Sequence, residues 1–335
     1  MQGPVISILI PFKNTAAYIA ECLESIVQQS FSNWEVLAVN DHATDGSLRI
    51  VNDFMAKDKR IKCFSNKGSG IIEALRTAYA NSKGLLITRM DSDDIMPPNK
   101  LQYMSAALLA NGRGHIAIGQ VQYFSESGIS NGYQRYQDWL NKLTQGGVNY
   151  TEIYKECVIP SPCWMTYRED LDACGAFEPH RYPEDYDLAF RFYERGLKCI
   201  PCTELLHYWR DYDTRTSRTS EHYAQNYFLD IKLHYFLKLE YDIGRPLTVW
   251  GAGNKGKTIA KGLISKNIDF YWLCDNPNKI GKVIYDTEMM SYTVLKNLEN
   301  PQSIVTVAND EAQAMIRNFF SGLQQTHAKD YFFFC

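Results

Sequence analysis

The sequence predicts an α/β fold, a mostly parallel sheet with helices on both faces, followed by a second and smaller α/β unit. Three observations carry this. Short apolar runs alternate with segments of helical period over the first ninety residues, Gly244-Arg245-Pro246 interrupts the chain, and the same alternation restarts after it. A length of 335 residues also favours two cores over one.

VISILI (5–10) reads as the first strand, and residues 16–29 place Ile19, Leu23, Ile26 and Val27 on one helical face. WEVLAV (34–39) is the second strand, and a helix follows Asp45-Gly46-Ser47 with Ser47 as its cap. IKCF (61–64), a helix over 71–82 and LLIT (85–88) complete the series, with Gly84 marking the last turn. Strands separated by helices in this order pair in parallel. Residues 115–183 show no regular pattern. EDYDLAFRFYERG (184–196) is a helix with carboxylates in its first turn, where the helix dipole favours them. KCIPCTELLHYW is strand-like, RDYDTRTSRTS (210–220) is a loop, and an aromatic helix spans 222–240. After the break, LTVW, IDFYWLCD (268–275) and SIVTVAND (303–310) are strands.

Composition excludes several classes. Hydrophobic residues form 45% of the chain and aromatic residues 13%, too many for a disordered protein. A formal charge of -3 with no basic run excludes nucleic acid as a partner. No apolar segment reaches the roughly 18 residues that span a bilayer, and the first residues lack a basic leader. The expected location is therefore the cytoplasm, with room for peripheral contact at the inner membrane face. Nine dispersed cysteines fit a reducing compartment, and Cys199-x-x-Cys202, without a second pair, reads as part of a strand.

In sheets of this kind ligands bind beyond the carboxyl ends of the strands. The loops at that rim are Pro11-Phe12-Lys13-Asn14, Asn40-Asp41-His42 and Arg89-Met90-Asp91-Ser92-Asp93-Asp94. Three crowded carboxylates repel one another unless a cation or a raised pKa relieves them. Oxygen ligands with open positions suit Mg²⁺ or Mn²⁺ shared with a diphosphate. Alone, the turn reads equally well as a solvated helix cap. Asp41 on the same rim tips the reading toward a nucleotide, whereas His42 and His207 read as surface and structural histidines.

The segments VISILIPFKN…NWEVLAVNDHATDGS, KGLLITRMDSDDIMPP and FEPHRYPEDYDLAFRFYERG, in this order, resemble the family 2 inverting glycosyltransferases of GT-A fold over roughly residues 4–220. The resemblance implies a donor-nucleotide site made of Pro11, Phe12, Asn14, Asp41, Arg76, Asp91, Ser92 and Asp93. The family's V-D-D-G-S-T-D reads V-N-D-H-A-T-D here, so Asn40 replaces one acid and Asp41 is retained. It further implies Asp91 and Asp93 as metal ligands for Mn²⁺ or Mg²⁺, with Asp94 the most dispensable of the three acids. Asp185 matches the catalytic base, and Glu184 and Asp187 have lesser claims. Arg210, Arg215 and Arg218 match a loop that closes over the diphosphate. The implied activity is transfer of a sugar from a nucleotide-diphosphate donor, UDP-linked, to a glycan or lipid-linked acceptor hydroxyl. A nucleotidyltransferase of the same fold would call for a glycine-rich basic loop where this chain has PFKNTAAY. A silent sugar-nucleotide-binding regulator would leave Asp185 without a role.

In the second unit Gly251, Gly253 and Gly256 follow a strand and open a helix, and Asp275 ends the next strand 19 residues after Gly256. This pattern looks like a Rossmann-type module, which reads equally well as a nucleotide site and as a scaffold that positions the acceptor. The expected division is a GT-A domain at 1–220, a helical linker at 221–244 and a Rossmann-like domain at 245–335.

Overall fold

The alternation of the first ninety residues appears as β1 (Ile6–Phe12), α1 (Ile19–Val27), β2 (Trp34–Asn40), α2 (Ser47–Lys57), β3 (Ile61–Ser65), α3 (Ile71–Asn81) and β4 (Leu86–Arg89) in the computed structural model. The structure describes residues 3–213, 215 and 228–335. α4 (Lys100–Asn111), β5 (His115–Phe124), α5 (Asn131–Gly146), β6 (Trp164–Tyr167), α6 (Arg168–Ala173), α7 (Glu184–Glu194) and β7 (Lys198–Arg210) follow. The seven strands form one sheet in the order β3-β2-β1-β4-β6-β5-β7. β1 to β4 pair in parallel and β6 runs antiparallel to both neighbours, giving the mixed but mostly parallel sheet expected.

β1 is apolar apart from Ser7 because helices cover both faces, and Ile6, Ile8, Leu9 and Ile10 are fully buried. Each such side chain contributes about 1.5–3 kcal/mol by leaving water. Register brings Phe12, Asn40 and Ser65 to one level, and Met90 N–H donates to Leu9 O at 3.0 Å, so the three loops leave the sheet on a common rim. Strand order reverses between β1 and β4, which places the switch point under the acidic turn.

Two local expectations change. Gly46 holds the N-cap position of α2 without a side-chain cap, Ser47 is the first helical residue, and Asp45 Oδ1 accepts from Ser47 N–H at 2.9 Å. The stretch that showed no pattern holds β5, α5, β6 and α6. β7 sits at the sheet edge, which explains how it carries Pro201. Cys199 and Cys202 lie along that strand and form no disulfide.

The chain forms two units, Met1–Asn149 with Val158–Arg215, and Tyr150–Cys157 with Thr216–Cys335. The second contains α8 (Leu229–Leu239), β8 (Leu247–Trp250), α9 (Asn254–Ile264), β9 (Tyr271–Cys274), β10 (Val283–Ile284), β11 (Thr287–Ser291), β12 (Gln302–Val305), α10 (Asp310–Gly322) and β13 (Tyr331–Phe333). Its sheet order is β10-β11-β9-β8-β12-β13, parallel except for β10. Two features differ from the sequence division. α8, read as linker, belongs to this unit, and so does the excursion Tyr150–Cys157. The excursion is fixed there by Glu152 with Arg317 (2.8 Å), by Lys232 Nζ donating to Lys155 O (2.9 Å) and by Tyr154 stacked on Phe334 at 5.4 Å. Residues 221–227 of the predicted linker lie outside the described residues. Among the described residues no helix is long and apolar enough to cross a membrane.

Candidate active site

The rim of the first unit is held together by short polar links between loops. Thr15 N–H donates to Ser47 Oγ at 2.9 Å and Thr15 Oγ1 to Ser92 Oγ at 3.1 Å, so the β1 loop joins the start of α2 to the acidic turn. Asn14, at φ 52°, accepts from Thr44 N–H through Oδ1 at 2.7 Å. Asp41 is buried, and its Oδ1 accepts from Asn66 Nδ2 (2.7 Å) and from Gly70 N–H (2.9 Å), while Oδ2 faces Lys13 Nζ at 3.6 Å. Pro11 is half-buried at the strand end, whereas Phe12 turns into the core at 2% exposure. Of the pair predicted to line a base pocket, Pro11 alone reaches the surface.

The acidic turn follows β4, and its three carboxylates have different partners. Asp94, expected to be dispensable, is the most buried of them, at 0% exposure. Its Oδ2 meets His207 Nε2 at 2.9 Å and its Oδ1 accepts from Arg210 N–H at 2.8 Å. Lys100, also buried, donates to Pro162 O at 2.5 Å and lies 3.4 Å from His207 Nδ1. This chain fixes the turn to β7, so Asp94 supports its neighbours structurally. Burial pushes Asp94 up to about 7 and holds His207 well below the usual histidine range.

Asp93 Oδ2 accepts from Tyr212 O–H at 2.8 Å, and Asp91 Oδ1 accepts from Arg89 Nε at 2.8 Å. Asp91 Oδ2 and Asp93 Oδ1 have no hydrogen-bond donor among the described residues. Burial first, then the negative charges of Asp94 and Asp91, push Asp93 up to about 7. Two free oxygens on crowded, partly desolvated acids fit a hard divalent cation. Among the described residues no three His, Cys, Asp or Glu side chains converge on one point, so such an ion would take further ligands from substrate or water.

Two further groups stand beside the turn. Arg210 donates from Nε to Asp93 O at 2.7 Å, pairs with Glu21, and lies over the rings of Phe124 (4.5 Å) and Tyr18 (4.8 Å). Arg215 lies over Trp209 at 5.5 Å, and although burial opposes its charge, Asp94, Tyr123 and Asp93 hold it protonated. Arg218 lies outside the described residues. Arg76 is turned elsewhere: its Nε donates to Phe177 O at 2.8 Å, and its other nitrogens meet Glu73 and Glu178 O.

Asp185 opens α7, where its Oδ1 accepts from Tyr186 N–H at 2.8 Å. Burial raises its pKa above the ordinary carboxylate range, and the nearby Arg89 charge opposes the rise. Glu184 is pushed up to about 7 by burial, again opposed by Arg89. Asp187 is buried against Arg191 (2.8 Å) and serves the helix. A residue the sequence reading missed links the two acidic groups. Arg89 donates from Nε to Asp91 and from a terminal nitrogen to Glu184 Oε1 at 2.8 Å. Its signal was a charged residue ending an otherwise buried strand.

In the second unit, Gly251 (φ 140°) closes β8, and a Cβ there would meet Thr306 Oγ1 at 2.2 Å. A Cβ at Gly256 would meet Gly251 O at 2.1 Å, while Gly253 faces open space. Two of the three glycines are thus required by packing of helix on strand. Lys279 Nζ donates to Ala252 O at 3.0 Å, and Asp275 is exposed after β9.

Comparison with known proteins agrees with this arrangement. EpsE of Bacillus subtilis (strain 168), described as a putative glycosyltransferase, is 28% identical over 229 residues, 67% of this chain and 79% of that one. The fold resembles the crystal structure of S. aureus TarS 1-349 in complex with UDP-GlcNAc, with a TM-score of 0.55 at 16% identity over 71% of this chain and 68% of that one. It also resembles the mannosyltransferase PcManGT from Pyrobaculum calidifontis in complex with GDP-Man and Mn2+, with a TM-score of 0.51 at 18% identity over 79% and 70% of the two chains. The model of glycosyl transferase family 2 matches residues 7–175, half of the chain, and spans the β1 loop, Asp41 and the acidic turn. The chain belongs to glycosyltransferase family 2 and is a nucleotide-sugar transferase of GT-A fold.

Proposed function

We propose that the protein transfers a sugar from a UDP-sugar to the hydroxyl of a glycan or lipid-linked acceptor, with inversion at the anomeric carbon, and that Asp185 is the base. The observation that carries the reading is the rim itself. Asp41, the acidic turn and the first turn of α7 face one switch point, and Arg89 joins the last two. Asp41 Oδ1 already holds two donors, so Oδ2, which faces Lys13 Nζ at 3.6 Å, is the oxygen that would accept the N–H uracil offers. Pro11, half-buried at the end of β1, would border the base, and Asn14 and Ser92 tie the loops around it. Arg210 and Arg215, cations beside the acidic turn, would meet the diphosphate. A nucleotidyltransferase or a silent regulator accounts for none of the links to α7.

Asp91 Oδ2 and Asp93 Oδ1 would hold Mn²⁺ or Mg²⁺, which when bound offsets charge on the departing diphosphate. An acceptor hydroxyl is a poor nucleophile. Asp185, in its ionised form, takes its proton as the oxygen attacks the anomeric carbon opposite the leaving group. Expulsion of the diphosphate from the other face inverts the centre, through a transition state of oxocarbenium character. Asp185→Asn tests the assignment: transfer should fall about 10²–10⁴-fold while donor binding is kept. Unchanged transfer would remove Asp185 from the role of base.

A further inference from the structure

We propose that Arg89 is a positioning residue, a buried fork that ties the acidic turn to the first turn of α7 so that Asp91 and Asp185 are held in one register. The proposal rests on the roles given above to those two aspartates. Arg89 ends β4 at the switch point, with a side chain 7% exposed. One guanidinium edge donates to Asp91 Oδ1 and a terminal nitrogen to Glu184 Oε1, each at 2.8 Å. Glu184 directly precedes Asp185, and the two acceptors come from segments 93 residues apart in the chain.

The choice of partners separates Arg89 from the other buried cations. Lys100 is satisfied by Pro162 O and Lys232 by Lys155 O and Phe334 O, backbone carbonyls that any fold-stabilising cation can use. Arg76 pairs with Glu73 but also takes the carbonyls of Phe177 and Glu178, and Arg168 takes Gly84 O and Ser82 Oγ. Among the described residues Arg89 donates to two carboxylates of the rim and to no backbone group. A planar guanidinium fixes both acceptors at a set angle, whereas the point charge of a lysine at this depth satisfies one at a time. A shift of about 1 Å between donor and base would slow transfer on the order of 10²-fold, so a rigid link here acts on rate more than on affinity.

The test uses the full chain with R89K, R89M, E184Q and the double variant R89M/E184Q, measuring kcat, donor KM, melting midpoint and amide hydrogen exchange. R89K and E184Q cut the link without emptying the site, so one of them remains readable should R89M not fold. The expected result is a fall in kcat of about tenfold or more in R89M and E184Q with donor KM within about threefold, partial recovery in R89K, and less than about twofold further loss in the double variant. Unchanged kcat in folded R89M, losses that multiply in the double variant, or a loss that vanishes well below the melting midpoint would each overturn the proposal. Absence of transfer by the wild type with every nucleotide sugar would strike the functional reading instead. Exchange then decides the link, which is overturned if the amides of 184–188 exchange no faster in R89M or R89K than in the wild type.

Discussion

The two units place their loops at the same kind of point, a reversal of strand order in a parallel sheet, and fill it with opposite materials. In the first unit the reversal between β1 and β4 is lined with carboxylates held by Arg89, Tyr212 and His207. In the second, the reversal between β8 and β12 is lined with glycines whose missing Cβ atoms let Thr306 and the backbone close in. One site is specified by charge and the other by volume. Topology therefore marks where a ligand would bind, and side-chain chemistry decides what the site can do.

That contrast is sharpest under substitution. Asp94→Ala leaves the neutral His207 and the Arg210 N–H without their buried partner and should lower stability by on the order of 2–4 kcal/mol, read by denaturant unfolding; a loss below about 1 kcal/mol would break the claim that buried polar partners build the first rim. Gly256→Ala forces a methyl onto a carbonyl oxygen 2.1 Å away and should lower stability by about 3 kcal/mol, through volume alone. Gly253→Ala, facing open space, should stay within about 0.5 kcal/mol of the wild type. Equal losses at Gly253 and Gly256 would show that the second rim is not set by packing.

The pH response separates the units as well. In the second unit burial, with the Arg317 charge, lowers His327 to about 4. Its neutral form is the folded one, so its contribution is complete above the unfolded value of about 6.5 and is lost as pH falls toward 4. His327→Phe should flatten acid destabilisation across that window. In the first unit Asp185 must be ionised to work, and burial raises its pKa. The acid limb of the rate profile should therefore lie above the usual carboxylate value of about 4. A limb at or below that value would place the base in a more solvated position than the structure shows.

Local signals were the legible ones. The first four strands, the acidic turn and Asp41 stood out because apolar runs end in carboxylates at a fixed offset from helices, whereas Asp185 was picked out only by the resemblance of PEDYD to the family motif. α5 was missed although Tyr133, Tyr136, Leu140 and Leu143 recur at helical spacing and Ser130 and Gly147 cap it, because glycines at both ends read as loop. Phe12 and Arg76 were misplaced for one reason: position in a motif does not say which way a side chain turns, and packing took Phe12 into the core and Arg76 to the carbonyls of residues 177 and 178. The role of Asp94 and the capture of Tyr150–Cys157 by the second unit depend on partners more than a hundred residues away. No local pattern encodes such pairings.

The most direct measurement is calorimetric titration of UDP into the wild type and Asp93→Asn, each with and without Mn²⁺. Mn²⁺ should tighten UDP binding to the wild type by about tenfold or more, and Asp93→Asn should abolish that gain while leaving metal-free binding in place. Equal affinity with and without Mn²⁺ in the wild type would contradict the reading of the acidic turn as a clamp for a cation and a diphosphate.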